Sequence, residues 1–299
     1  MHDLRVGVTG VNGYVGGVVA AAVAAAGGDA VGFSSSPRFG QIEYRLGAPL
    51  RPESVEGLTA VVHAAHDFSA EPARAREVNT EGSLPLLKAA HDADVPVVLV
   101  SSLAAFVGCQ SAYGRAKLEL EQRVFEAGGR VLRAGVVFGD GAGGIVGSLN
   151  RAVSALPAVP IFAPHSPTYV TEAQALGRLV VWLASGTGAL GTRRPVLAAA
   201  DLPISFVSLV RHLGGVHGRH VRTIPVPTRL GLLTLRLGER LNLPMPFRSD
   251  SLVALAHPIP ADQVVSLDAS PVHFPGLPDW KSMFSIATLN STNRTGTDA

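Results

Sequence analysis

Apolar positions fall into short runs separated by longer segments of helical period. Leu4–Thr9, Ala30–Ser34, Leu58–Ala65, Pro96–Ser101 and Arg130–Ala134 are compact runs, mostly rich in Val, Leu and Ala, and each reads as a buried strand. Between them, Gly17–Ala26 is apolar nearly all round and predicts a helix buried on most sides. Glu71–Ala93 predicts one long helix and Ser111–Ala127 another. Strands alternating with helices predict an α/β fold, a doubly wound parallel sheet with helices on both faces. Further on, Thr171–Ser185 reads as a helix, Pro195–Ala199 as a strand and Ile204–Leu213 as a short helix opened by Pro203. From about Gly218 the prolines at 225, 227, 244, 246, 258 and 260 break the chain into short elements. The expected organisation is therefore a sheet domain over residues 1–185, with a strand and helix at about 194–213 returning to it. A small C-terminal lobe over 214–299, with 139–169 contributing, completes it. Arg229–Leu243 is an amphipathic, Leu-rich helix, read as a lid or packing helix; a membrane or partner surface is the other reading. The polar tail Asn290–Ala299 is expected to fray.

Composition narrows the class. The chain has 299 residues, 47% hydrophobic and 16% charged, so it can bury a sizeable core. Its 25 basic and 23 acidic residues give a formal charge of +2 without a basic run or a basic patch interleaved with aromatics, which argues against nucleic acid as a partner. Cys109 is the single cysteine, excluding an internal disulfide and a cysteine-based zinc cluster. No secretory leader is read at the N-terminus, because Val15–Gly28 lacks a basic head, and no run is long and apolar enough to span a bilayer. A cytoplasmic location is the expectation, with no stable membrane insertion and no metal ligands.

The first strand runs into Thr9-Gly10-Val11-Asn12-Gly13-Tyr14-Val15-Gly16 and then the first helix. Gly10 permits the tight turn, Gly13 lets the backbone approach a pyrophosphate and Gly16 lets helix pack on strand. The helix start offers free N–H groups and a positive dipole end to phosphates. Strand, glycine turn and helix make a dinucleotide-binding start and mark the sheet as Rossmann-like; a Gly-rich hairpin is the bland alternative. The second strand ends in Ser34-Ser35-Ser36-Pro37-Arg38, with hydroxyls and one guanidinium where an NAD enzyme usually carries a carboxylate. That suits a 2′-phosphate, so NADP is favoured over NAD, unless Arg38 is only a solvated charge. His63 sits in an apolar strand and reads as a packed core histidine. His66 and Asp67 stand just past the strand, either capping a loop or touching the cofactor. Asn79 and Gly82 are poor helix-interior residues, which suggests close packing or a hydrogen bond into the site. Ser101 and Ser102 end a strand, and ten residues on Tyr113 and Lys117 share one helix face at an i, i+4 spacing. A phenol near an ammonium can move a proton at a carbonyl or alcohol, because the ammonium favours the phenolate. The glycine-rich loop Gly139–Gly144 is expected beside the substrate.

In that order these pieces resemble the extended short-chain dehydrogenase/reductase superfamily, in particular its NAD-dependent epimerase/dehydratase family. Thr9–Gly16 fits its Thr-Gly-x-x-Gly-x-x-Gly, Val61–Ala65 its Val-x-His-x-Ala strand and Asn79–Gly82 its Asn-x-x-Gly. Ser101–Phe106 is similar to its catalytic serine stretch, Tyr113–Lys117 fits Tyr-x-x-x-Lys, and Leu132–Gly139 resembles its Leu-Arg-x-x-x-x-Tyr-Gly stretch. The resemblance covers residues 4 to 185 well and the rest loosely. It implies Tyr113 as acid/base, Lys117 lowering its pKa and binding the nicotinamide ribose, and Ser102 holding the reacting oxygen. It implies Tyr14 and Val15 at the pyrophosphate with Gly10, Asn12, Gly13 and Gly16, and Ser34, Ser35 and Arg38 at the adenosine ribose. Ala64, Ala65 and His66 would run along the dinucleotide, with Asn79, Ser101, Ala134 and Gly135 toward the nicotinamide. Phe68, Leu103 and Val136 would meet the substrate. A homodimer through the 71–93 and 111–127 helices is a further implication.

The chain departs from that pattern in three ways. Only ten residues separate Ser102 from Tyr113, shorter than usual in sugar-nucleotide epimerases. His165-Ser166-Pro167-Thr168-Tyr169 lacks the arginine that grips a substrate diphosphate. Phe247-Arg248-Ser249-Asp250 is a weak substitute for the later Arg-x-Gly-Asp. The expected activity is hydride transfer at a hydroxyl or carbonyl carbon, as an epimerase/dehydratase acting on a small molecule such as a nucleotide sugar. An NADPH-dependent carbonyl reductase or alcohol dehydrogenase is the alternative, and a non-catalytic nucleotide-binding module is a third.

Overall fold

A computed structural model describes residues 4–68, 71–186, 193–241, 243 and 248–277. The expected fraying of 290–299, and the residues Pro244, Pro246 and Phe247, lie outside the described residues. Six early strands carry the frame: β1 (Arg5–Thr9), β2 (Asp29–Ser34), β3 (Ile42–Glu43), β4 (Ala60–His63), β5 (Val97–Ser102) and β6 (Arg130–Ala134). The chain then adds β7 (Val136–Phe138), β8 (Ala158–Ile161), β9 (Pro167–Thr168), β10 (Val170–Glu172), β11 (Val196–Ala198), β12 (Ile204–Ser205) and β13 (Arg222–Pro225). The helices are α1 (Tyr14–Ala25), α2 (Leu84–Asp92), α3 (Ala112–Glu126), α4 (Gly144–Ala155), α5 (Ala173–Ala184), α6 (Phe206–Val216), α7 (Thr228–Arg240), α8 (Ser249–Ala256) and α9 (Ala261–Val265).

The main sheet has seven parallel strands in the order β11-β6-β5-β4-β1-β2-β3. Its strands are apolar on both faces, as a sheet covered on both sides requires. On one face α1 and α5 bury Val19, Val23, Leu176 and Leu179 against Val6, Val62 and Leu132. On the other, α2 and α3 bury Leu86, Leu120 and Val124 against Val61, Leu99 and Val131. The fold is thus a Rossmann-like, doubly wound sheet. Strand order reverses between β1 and β4, and ligands of such sheets gather outside the carboxyl ends at that point.

Three predicted helices are corrected. Glu71–Ala93 is not continuous: it is a 3₁₀ turn at Pro72–Arg74, a π-helical turn at Arg76–Thr80, a second 3₁₀ turn at Glu81–Ser83, and then α2. The Ser83 hydroxyl donates to the Asn79 carbonyl at 2.6 Å, competing with the helical ladder, and Pro85 lacks the N–H that a continuous helix needs. The helix expected from Ile204 starts at Phe206, because Ser205 caps it by accepting the Ser208 N–H. Of the 194–213 segment, β11 joins the main sheet, whereas α6 packs with α4 and β8 around Phe206, Leu209, Val153 and Ile161. The short strands β7 to β9 and helix α4 lie where the sequence marks no element beyond the Gly139–Gly144 loop, and the helix expected from Thr171 starts at Ala173, because β10 takes Thr171 and Glu172 and the Glu172 carboxylate caps α5 by accepting the Ala175 N–H.

Candidate active site

The glycine turn is compressed from three sides. Gly10 has φ +67° and its N–H donates to the Phe33 carbonyl at 2.9 Å, tying the turn to β2. A Cβ on Gly16 would lie 2.2 Å from the Gly10 carbonyl oxygen, and one on Gly10 2.9 Å from the Ala65 Cα. Only glycine fits either position. Gly13 caps α1 with no side chain over the helix start, and no acid stands in its first turn. The free N–H groups therefore face a cavity of about 1100 Å³ lined by the whole turn from Gly10 through Gly16 except Val11. That volume exceeds the usual span for a single drug-sized ligand, about 300–1,000 Å³. An open helix start in a cradle that side chains would fill is what a dinucleotide pyrophosphate requires. Tyr14 Oη is buried with no hydrogen-bond partner among the described residues, and burial followed by the Asp140 charge raises its pKa.

At the far side, Ser34 and Ser35 line the cavity. The Asn12 amide donates to Ser34 Oγ at 2.8 Å and to the Ser36 carbonyl at 3.0 Å, locking the loop after β2. Arg38 does not line the cavity. Its backbone N–H is held by Gln41 and its side chain is exposed. Arg45 lines the cavity instead, paired with Glu43 at 3.1 Å.

A one-way hydrogen-bond chain runs beneath the switch point. The Ala64 and Ala65 N–H groups donate to Thr9 Oγ1, and Thr9 is 2.8 Å from His63 Nδ1. His63 Nε2 is 2.8 Å from Ser83 Oγ, which donates onward to the Asn79 carbonyl. Since Ser83 gives away its proton, it accepts from His63, which fixes a neutral imidazole with the hydrogen on Nε2. Burial, and then the Lys117 charge, lower the His63 pKa to about 3. Asn79 does not line the cavity. Its amide accepts the Asp67 N–H at 2.7 Å and donates to the Asp67 carbonyl at 3.1 Å, clamping the loop that carries His66 and Phe68. A Cβ on Gly82 would sit 3.2 Å from the Gly47 nitrogen, so Gly82 is needed for close packing.

Tyr113 lies in the middle of the cavity wall. Its ring meets His66 edge-on at a centroid separation of 4.9 Å and stacks on Phe68 at 5.8 Å. The Ser102 hydroxyl accepts the Ala104 N–H at 3.2 Å and hydrogen-bonds to the phenol. Burial raises the Tyr113 pKa, and the Ser102 bond works against that rise. Desolvation is the largest of these effects, and the Glu121 charge adds to the rise. Lys117, one turn on, is itself buried and donates to the Val100 carbonyl at 3.0 Å. Burial lowers its pKa to about 8 and the Glu121 charge opposes the fall. Burial pushes Glu121 up, while Arg133, Ser101 and Lys117 pull it down. Arg133 grips Glu121 by both carboxylate oxygens at 2.7–3.2 Å, and Ser101 Oγ donates to it at 2.5 Å. This buried pair sits directly behind Ser101 and Lys117. Burial and Lys117 also hold His66 well below the usual imidazole range.

Helix α8 and the residues after it complete the cavity wall, with Ser251, Leu255 and Ile259 among the lining. Asp250, at the start of α8, accepts the Ala112 N–H at 2.7 Å and the Tyr113 N–H at 2.9 Å, while Ser111 Oγ accepts the Gly114 N–H. The start of α3 is therefore capped from two directions. The floor beside β6 is braced: Gly135 N–H donates to Thr171 Oγ1 at 2.8 Å, and Thr171 Oγ1 donates to the Ala198 carbonyl at 2.5 Å. A Cβ on Gly135 would lie 2.2 Å from the Tyr169 carbonyl oxygen.

Of the residues that the resemblance assigns to cofactor, substrate or the reacting oxygen, all but Arg38 and Asn79 line this one cavity; Ser101, Ser102, Tyr113, Lys117, Ala134, Gly135, Phe68, Leu103 and Val136 are among them, whereas His63 and Gly82 are not. The sequence assigned no role to Glu121, to Arg133 beyond its place in the Leu-Arg stretch, or to Tyr169, Leu255 and Ile259, and gave Asp250 none at α3. The visible signal for the first two was a glutamate continuing the Tyr113, Lys117 face at i+8 and an arginine inside an apolar strand. The others come from short elements far along the chain.

Residues 6–130 match the model of the NAD dependent epimerase/dehydratase family. No curated protein matches the chain. Among solved structures, UDP-N-acetylglucosamine 4-epimerase from Bacillus cereus aligns at 15% identity over 84% of this chain and 97% of that one, with a TM-score of 0.61. The Thermus thermophilus UDP-glucose 4-epimerase in complex with NAD aligns at 19% identity over 83% and 97%, TM-score 0.60. The Helicobacter pylori ADP-L-glycero-D-manno-heptose-6-epimerase aligns at 17% over 75% and 85%, TM-score 0.61. These likenesses establish the fold.

Proposed function

We propose that this chain, whose residues 6–130 carry the epimerase/dehydratase family signature, is an NAD(P)-dependent enzyme that transfers a hydride at a hydroxyl-bearing or carbonyl carbon. One observation carries the reading: Ser102, Tyr113 and Lys117 line the same cavity as an uncapped, glycine-built helix start. The nicotinamide dinucleotide, when bound, supplies the hydride acceptor or donor. Gly13 through Gly16 hold its pyrophosphate, and Ser34 and Ser35 its adenosine ribose. Ser102 holds the reacting oxygen of the substrate, and Tyr113 takes or returns the proton at that oxygen. Lys117, protonated below about pH 8, supplies positive charge beside them. His66 and Phe68 wall the phenol and keep water from it.

The relatives in fold act on nucleotide sugars, which makes an epimerase or dehydratase of such a substrate the first reading. A carbonyl reductase of a non-nucleotide substrate is the second. It is favoured by the lack of an arginine from His165 to Tyr169 and by the aromatic ring cluster at Tyr113. The hydroxyls after β2, with no carboxylate there, favour NADP, although the named relative binds NAD.

Binding and turnover measured side by side test the proposal. Wild type should bind NADPH more tightly than NADH; the reverse order removes the NADP preference. Tyr113→Phe should keep nucleotide affinity and lower turnover by about 10²–10⁴-fold. Unchanged turnover would overturn the acid/base assignment. Tightly held cofactor with no net consumption marks the epimerase/dehydratase reading, and stoichiometric NADPH consumption with ketones marks the reductase.

A further inference from the structure

Helix α7 is apolar on two opposite sides, and only one is explained by packing. Its inner side buries Gly231, Leu235 and Gly238. A Cβ on Gly231 would sit 2.4 Å from the Phe162 ring, so the helix lies tightly on the lobe there. The single acid of the helix, Glu239, also turns inward, accepting the Ser249 N–H and hydroxyl at 2.7 Å each. The outer side carries Leu230, Leu233, Leu237 and Leu241 at spacings of three and four, continued by Leu243, all between 51% and 65% exposed. On a helix that spacing makes one stripe. Exposed Arg229, Arg236 and Arg240 run along one edge of it, and no carboxylate pairs with them among the described residues.

We infer that the outer face of α7 docks on an anionic lipid surface, with its leucines in the acyl boundary and its arginines at the headgroups. An exposed leucine stripe flanked by cations and free of acids has the charge and shape of an interfacial helix. A second copy of the chain is the weaker occupant. Two such stripes related by a twofold axis bring leucines together but offer the arginines no acid. No helix among the described residues is long and apolar enough to cross a membrane, so the contact is with the surface. Because α8, which packs on α7, carries Ser251, Ala254 and Leu255 into the cavity wall, docking would hold the enzyme by the back of its substrate lobe.

The test is co-sedimentation of the full chain with phosphatidylcholine vesicles, with and without about one quarter phosphatidylglycerol. Wild type should sediment with the anionic vesicles and far less with the neutral ones. Combined Arg229→Gln, Arg236→Gln and Arg240→Gln should weaken that binding on the order of 100-fold, and high salt should weaken it too. Combined Leu233→Ser, Leu237→Ser and Leu241→Ser should weaken it by at least about tenfold. Far-UV circular dichroism and melting temperature check that each variant folds; if the leucine set does not, the arginine set decides alone. Absence of vesicle binding, equal binding to both compositions, or binding unmoved by the folded variants would overturn the proposal. So would a wild-type dimer that the leucine set turns to monomer in the absence of lipid binding.

Discussion

Asp250 accepts the backbone N–H of Tyr113 at 2.9 Å with one carboxylate oxygen and that of Ala112 at 2.7 Å with the other. A carboxylate from α8 thus completes the first turn of the helix that presents the phenol. It also neutralises the positive end of that helix. Asp250→Ala should lower stability by about 1 kcal/mol, the usual worth of a cap. It should also lower kcat while leaving nucleotide affinity within about twofold, because the glycine turn is untouched. Thermal melts and a separation of kcat from KM check this. Equal kcat in the variant would reduce Asp250 to a purely structural cap.

Lys117 is the counter-example to stability as a design goal. Its folded pKa of about 8 lies below the usual 10.5 because it is buried. Between those two pH values the unfolded chain holds the proton and the folded chain does not, so this group's contribution to stability rises with pH across that window. At pH 7 the protonated, buried ammonium is destabilising. Lys117→Met should therefore melt no lower than wild type at pH 7 while losing at least about 100-fold in turnover. A melting temperature several degrees lower would show that the bond to the Val100 carbonyl outweighs the desolvation.

His63 gives the opposite limb. Its folded pKa of about 3 lies below the usual 6.5, so as pH falls from 6.5 toward 3 the unfolded chain takes a proton that the folded chain refuses. Stability from this group is complete above 6.5 and is lost progressively below it. Melting temperature should decline over that range in wild type, and His63→Asn should show a shallower decline from a lower starting value. An equal slope in both would mean that other groups govern the acid limb.

Gly16→Ala tests the cradle itself. The added carbon would meet the Gly10 carbonyl oxygen at 2.2 Å, a backbone atom that cannot rotate away. A destabilisation of about 1–3 kcal/mol is expected. Calorimetric nucleotide titration should show weaker binding while circular dichroism keeps the wild-type shape; full affinity would contradict the close fit.

The parts legible in the sequence are those whose partners are near in the chain. Gly10, Gly13 and Gly16 announce a turn through spacing alone, and Tyr113 and Lys117 share a face through helical period. Ser102 is found because it ends an apolar strand just before them. The parts that stayed hidden depend on distant partners or on competing side chains. Asp250 reaches Tyr113 across 137 residues from an eight-residue helix that no periodicity marks. Glu121 and Arg133 are twelve residues apart on a helix and a strand, and nothing in the sequence pairs them until β6 is seen lying beside α3. The 71–93 segment has helical composition, but Ser83 and Pro85 interrupt the backbone ladder, and a period count does not register a serine bonding its own chain. Arg38 looked suited to a phosphate by type and position, yet the loop turns it outward.

The brace from Gly135 to Thr171 to the Ala198 carbonyl spans steps of 36 and 27 residues. On a ribosome, the floor of the cavity cannot be laid until residue 198 has emerged, and the cap on α3 must wait for residue 250. A nascent chain can assemble the glycine turn and its first strands early, but the cavity wall is complete only once the lining residues of α8 and beyond, as far as Ile259, have emerged.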